Sequence, residues 1–136
     1  MSQHILVVDD EAQIRDLLCI YLMKQGFKVS TAANTQETLA ILAQTPVDLA
    51  VLDIGLGDED GLKLLAQIKA RYPAVRAVML TGMGFVEDLL QEALQKGADG
   101  YVSKVLPLEE LLMAIHRIFK SSKATSEKPA KIAGLA

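Results

Sequence analysis

Asp9 with Asp10, Asp53, Thr81 and Lys104 each stand at the end of a short apolar run in this 136-residue chain. A fold that gathers the ends of those runs builds one pocket from three carboxylates, a hydroxyl and an ammonium. At about 5 Å and an effective dielectric of about 20, each pair of ionised carboxylates repels by roughly 3 kcal/mol, so three pairs cost on the order of 10. Such a cluster takes up a proton or holds a cation. All-oxygen ligation with room for water selects magnesium, or manganese in its place, over zinc or copper. Thr81 and Lys104 add what a passive ion site does not need. A hydroxyl donor and a fixed cation facing a metal-bound carboxylate suit an aspartyl nucleophile that comes to carry three phosphoryl oxygens.

Taken singly, the same residues have plainer uses. Asp9, Asp10 and Glu11 can cap a helix and complement its dipole. Thr81 can be a β-branched residue at a strand end and Lys104 a solvated terminus, while Asp58, Glu59 and Asp60 read mostly as solvated loop acids.

The elements that would position these groups alternate strictly. Ile5 to Val8 reads as a strand buried on both faces. A helix follows with Ile14, Leu17, Leu18 and Tyr21 inward, closed by Gly26. Phe27 to Ala32 is a more polar second strand, and Asn34 caps a helix through Gln44 with Leu39, Leu42 and Ala43 inward. Val47 to Leu52 is the third strand, followed by the loop GLGDEDG and a helix from about Leu62 to Arg71 that stops before Pro73. Val75 to Leu80 is the fourth strand. Gly82 and Gly84 loosen the next junction, and Val86, Leu89, Leu90, Ala93 and Leu94 form a helical stripe ended by Gly97. A short fifth strand runs through Tyr101 and Val102, and the last helix, opened by Pro107, carries Leu108, Leu111, Leu112, Ile115 and Phe119 on one face.

Five strand-helix pairs predict an α/β fold: a doubly wound parallel sheet with helices on both faces, right-handed crossovers, and a site at the carboxyl ends of the strands. Residues 1–120 form one domain on this reading, and 121–136, SKATSEKPAKIAGLA preceded by Ser121, a linker or disordered tail. A hydrophobic share of 51% supplies a core without disulfides, since Cys19 is the only cysteine. The net charge of −3 offers no basic patch for nucleic acid. No stretch reads as a signal peptide or membrane span, so the expected setting is the cytoplasm, with no membrane or direct nucleic-acid partner.

With LVVDDE, LDIGLGDEDG, MLTG and GADGYVSK in this order and spacing, the chain resembles the receiver domain of two-component response regulators over about residues 3–120. The resemblance implies a flavodoxin-like (βα)5 sandwich whose five strands, in chain order, lie as 2-1-3-4-5. It implies that Asp53 accepts a phosphoryl group from a histidine kinase or phosphotransfer protein. Asp10, Asp53 and the backbone carbonyl of Gly55 would ligate Mg2+, or Mn2+, with Asp9 acting directly or through water. Thr81 and Lys104 would contact the phosphoryl oxygens, and Tyr101 would be the switch aromatic that follows the Thr81 hydroxyl; a half-exposed strand aromatic is its plainer reading.

On that basis the domain is a phosphoacceptor and not an enzyme, beyond Mg-dependent self-phosphorylation from small donors and autodephosphorylation. Moving a population from 1:99 to 99:1 takes about 5.5 kcal/mol. A few charge-assisted hydrogen bonds at about 1.5–3 kcal/mol each reach that. Gly82, Gly84 and the fourth helix should be the mobile part, with the fourth helix, fifth strand and fifth helix as docking face for a downstream protein or an output domain, the protein being a monomer or a phosphorylation-dependent dimer. Two positions depart from the family pattern: Gly57 and Val105 stand where proline is usual. Without proline after Lys104 a trans Lys104-Val105 bond is expected. Competing readings are a non-phosphorylated interaction module, a haloacid dehalogenase-type phosphatase, which wants an aspartate where Gly55 stands, and the receiver part of a LuxR-type regulator.

Overall fold

The computed structural model describes residues 3–82, 86–104 and 107–121. Gly84, the Lys104-Val105 bond and the tail beyond 121 lie outside the described residues. Five strands make the main sheet: β1 (His4–Val8), β2 (Lys28–Ala32), β3 (Leu49–Asp53), β4 (Arg76–Thr81) and β5 (Gly100–Ser103). They alternate with α1 (Ala12–Lys24), α2 (Thr35–Gln44), α3 (Gly61–Arg71), α4 (Glu87–Gln95) and α5 (Leu108–Lys120). All neighbours run parallel, in the expected order β2-β1-β3-β4-β5.

Successive strand residues point to opposite faces, and here both faces are covered, which is why the strands read as unbroken apolar runs. Leu6, Val8, Ala50, Leu52, Ala77 and Met79 pack with Leu42, Leu65, Ile68 and Ala93 from α2, α3 and α4. Ile5, Val7, Leu49, Val51, Val78 and Leu80 pack with Leu18 and Leu22 of α1 and Leu111, Ile115 and Ile118 of α5. The sheet is a plate between two separate apolar layers.

Several elements differ from the sequence reading. The third and fourth strands begin later than expected, at Leu49 and Arg76, and run one residue further, taking Asp53 and Thr81 into the ladder opposite Leu80 and Ser103. Leu17 is 49% exposed, because the α1 stripe that meets the sheet is Leu18 and Leu22. Ala43 is exposed as well; Thr38 takes the inward place one turn before Leu42 and returns its hydroxyl to the Asn34 carbonyl at 2.8 Å. The glycine-rich loop folds into a two-residue hairpin, Gly55–Leu56 against Glu59–Asp60. Its acids are not idle: Asp60 accepts from Leu62 N (2.9 Å) as the N-cap of α3, and Glu59 accepts from Thr35 N (2.8 Å) at the start of α2. That contact holds the Glu59 carboxyl below its ordinary range.

Caps distribute rigidity unevenly. Asn34 accepts from Glu37 N and Asp60 from Leu62 N, whereas α1, α4 and α5 have no side-chain cap, and α4 in addition buries only Ala93 fully. Its expected stripe is present but only partly covered. At the other end of the sheet, Lys69 Nζ reaches Asp99 Oδ2 (3.1 Å) and the Val75 carbonyl (2.8 Å), and Asp99 Oδ2 also accepts from Ala77 N (2.9 Å). This brace between α3 and the start of β4 was not foreseen, because residues 30 apart carry no sequence signal of pairing.

Candidate functional site

The carboxyl edge of the sheet gathers the chemistry-bearing residues. β1 delivers Asp9, whose N–H donates to the Ala32 carbonyl (3.1 Å) and whose own carbonyl accepts from Arg15 Nη1 (2.7 Å). β3 ends on Asp53; Ile54 N then donates to the Leu80 carbonyl (3.0 Å), fixing that corner to β4. β5 delivers Lys104, whose N–H donates to the Thr81 carbonyl (2.8 Å). Parallel pairing sets these ends at one level without any direct sequence contact among them.

Oxygen atoms of Asp9, Asp10 and Asp53 lie within 4.8 Å of one another. Asp9, Asp53 and Thr81 are buried, at 0%, 4% and 1% exposure, and Asp10 is exposed at the mouth. A cleft of about 390 Å³ is lined by Asp10, Glu11, Asp53, Gly55, Thr81 and Lys104 among others. Lys104 Nζ is the local cation: it donates to Asp53 Oδ2 at 3.0 Å and lies 2.9 Å from Asp9 Oδ2 and 3.4 Å from Glu11 Oε1. Buried Asp9 Oδ2 thus has the Lys104 ammonium as its partner. Asp53 Oδ1 accepts from Gly55 N at 3.2 Å.

Three carboxylates within 4.8 Å of one another, with one lysine between two of them, leave negative charge that a hard divalent cation can balance, so the all-oxygen donor set fits Mg2+. Of the helix-cap reading, the structure keeps one contact: Glu11, the N-cap of α1, makes no side-chain cap bond, and its N–H donates to Asp9 Oδ1 at 2.9 Å just before the helix. Of the other expected residues, Gly55 lines the cleft, whereas Tyr101 lies half-buried opposite Met79, packed against the α2–α3–α4 layer and outside the cleft lining. Glu11 was missed as a partner of Lys104; the two are 93 residues apart and nothing in the local pattern joins them.

The Asp53 carboxyl is pushed up from 3.8 to about 6, chiefly by burial, with the Asp9 charge adding; the Lys104 and Gly55 hydrogen bonds pull the other way. Burial likewise opposes the Lys104 charge, but the Asp9 and Asp53 carboxylates outweigh it and raise Lys104 above the lysine range. The linkage has a definite sign. The unfolded chain releases the Asp53 proton near 3.8 and the folded one near 6, so this group lowers stability as pH rises through that window and keeps it lower above. Without divalent cations, Asp53→Asn is therefore expected to melt higher than the parent at pH 7.5, with the gap closing toward pH 4. Thermal unfolding at both pH values checks this; a variant melting lower at pH 7.5 contradicts it.

Among known families, the one described as response regulator receiver domain matches residues 5–116. A response regulator NtrX-like protein of Rickettsia bellii is 37% identical over 125 residues, which is 90% of this chain and 26% of that protein. The chain thus spans about a quarter of the length of the first curated relatives it matches. The crystal structure of a CheY-like receiver domain protein from Methanospirillum hungatei superposes with a TM-score of 0.84 at 30% identity, covering 91% of this chain and 98% of that one. A Burkholderia pseudomallei response regulator, solved with a phosphorylated aspartic acid and a calcium ion, superposes at 0.79 with 28% identity over 97% of this chain and 74% of its own. No helix among the described residues is long and apolar enough to cross a membrane.

Proposed function

The chain belongs to the response regulator receiver family, and from that premise we propose that Asp53 is the residue that receives the phosphoryl group. The observation that carries this is the placement of its carboxylate at the sheet edge, within 4.8 Å of Asp9 and Asp10 and 3.0 Å from Lys104 Nζ. With its carboxyl at about 6, Asp53 is ionised at neutral pH and available as a nucleophile. An Asp53 carboxylate oxygen forms the P–O bond, the P–N bond of a partner's phosphohistidine breaks, and the departing imidazole keeps its electron pair and takes up a proton.

Asp9, Asp10, Asp53 and the Gly55 carbonyl would hold Mg2+, which when bound neutralises charge on the phosphoryl oxygens. Lys104 is close enough to exchange its carboxylate contacts for phosphoryl oxygens, and Thr81 supplies a hydroxyl on the same wall of the cleft. Phosphorylation adds about −1.5 to −2 charges at this edge. The response passes from Thr81 to Tyr101 and α4, a helix that has no side-chain cap and buries only Ala93 fully, so the α4-β5-α5 face is the docking surface for a downstream protein or output domain. Residues beyond about 120 would serve as linker or tail. The domain acts as phosphoacceptor and not as an enzyme of turnover, and it works with a sensor kinase or phosphotransfer protein in the cytoplasm.

Incubation with acetyl phosphate and Mg2+ should add one phosphoryl group per chain, located by mass spectrometry on Asp53. Chelation of the metal, or Asp53→Asn, should reduce labelling at least a hundredfold. Modification at another residue, or undiminished labelling of Asp53→Asn, defeats the assignment.

A further inference from the structure

We propose that Glu11 is a donor-selecting residue, its carboxylate at the rim of the cleft penalising phosphoryl donors according to their negative charge. The inference rests on Asp53 being the acceptor. Four carboxylates surround Lys104 or the cleft, but only Asp9, Asp10 and Asp53 lie close enough together to share one cation. Glu11 stands apart from that set, with its side chain 63% exposed and Oε1 3.4 Å from Lys104 Nζ. A divalent cation bound by the three aspartates leaves the Glu11 charge unneutralised except by Lys104. It also leaves Glu11 holding part of the ammonium that an arriving phosphoryl group needs. Charges at a cleft mouth act on approaching ions before contact and are screened by salt.

Two small donors separate charge from shape. With acetyl phosphate, a dianion, the P–O bond to acetate breaks, the P–O bond to Asp53 forms and acetate leaves with the electron pair. With phosphoramidate, a monoanion whose nitrogen is already protonated, the P–N bond breaks and ammonia leaves. Both reactions end in the same phosphoaspartate, so the difference lies in the approach and not in the product.

The test is the initial rate of Asp53 labelling by each donor at saturating Mg2+, followed by mass spectrometry, in the parent, Glu11→Gln and Glu11→Lys. At low ionic strength Glu11→Gln should speed acetyl phosphate labelling by about three- to tenfold and phosphoramidate labelling by roughly the square root of that factor. Glu11→Lys should widen the ratio further, and about 1 M KCl should erase both effects. Equal changes for the two donors, or changes indifferent to salt, overturn the role of Glu11. Failure of both donors to label Asp53 in the parent removes the acceptor assignment itself, and this inference with it.

Discussion

Lys104→Met should cost the cation-free protein about 2–4 kcal/mol at pH 8, because it leaves buried carboxylates without their counter-charge. Methionine keeps the apolar stem, which lines the seam between α1 and α5 with Ile14, Leu17, Leu108 and Leu111, so the loss is electrostatic. Two features hold the cost below the extreme for buried pairs. The lysine side chain keeps 16% exposure, and Asp53 can answer by taking up a proton. Without the lysine, the Asp53 carboxyl rises beyond about 6, since the larger contributions opposing burial are gone and only the Gly55 hydrogen bond remains. The variant should therefore lie nearest the parent around pH 5 and furthest from it above pH 7. At one fixed Mg2+ concentration the gap should narrow, because a carboxylate cluster without its lysine binds the cation more tightly and so gains more from it; a tenfold excess over the dissociation constant is worth about 1.4 kcal/mol. Urea unfolding at pH 5 and 8, with and without Mg2+, measures all four corners; a loss indifferent to both pH and metal would show packing, not charge, to be the cause.

Gly61→Ala is expected to damage fold and site together. A Cβ there would overlap the Asp53 carbonyl oxygen and lie 2.8 Å from Ile54 Cα and from the Ile54 carbonyl oxygen. These are backbone atoms of the strand end and cannot swing aside. The Gly61 N–H also donates to the Ile54 carbonyl at 2.8 Å, so the start of α3 is pinned against that corner. Either β3 or α3 must shift, at about 2–4 kcal/mol. Because the displaced corner carries the acceptor, Asp53 labelling should fall at least tenfold even where the protein remains folded. Gly55→Ala is the stability control: nothing lies within 4 Å of its Cβ position, and its melting temperature should barely move. Equal effects at the two positions would refute the close-approach argument.

The architecture was legible because burial on both faces writes itself into composition: Ile5 to Val8 and Leu49 to Leu52 are unbroken apolar runs, and each is followed by an aspartate at the sheet edge. Asn34 was equally readable as a cap, since its partner Glu37 is three residues away. Long-range pairings were not. Glu59 with Thr35, Lys69 with Asp99, and Glu11 with Lys104 each join distant segments through flexible polar side chains that leave no periodic trace. Helix faces were read to within about one flank, so Leu17 and Ala43 were placed inward although the sheet selects their neighbours. The hairpin after Asp53 was hidden because its two-residue arms are shorter than any pattern can register.

The sheet is bordered by β2 and β5, of five and four residues, and β2 opens on the exposed Lys28. A charged side chain on an edge strand discourages a neighbouring polypeptide from extending the ladder. A polypeptide that would add a strand beside β2 therefore meets a charge at that edge before it meets an open backbone.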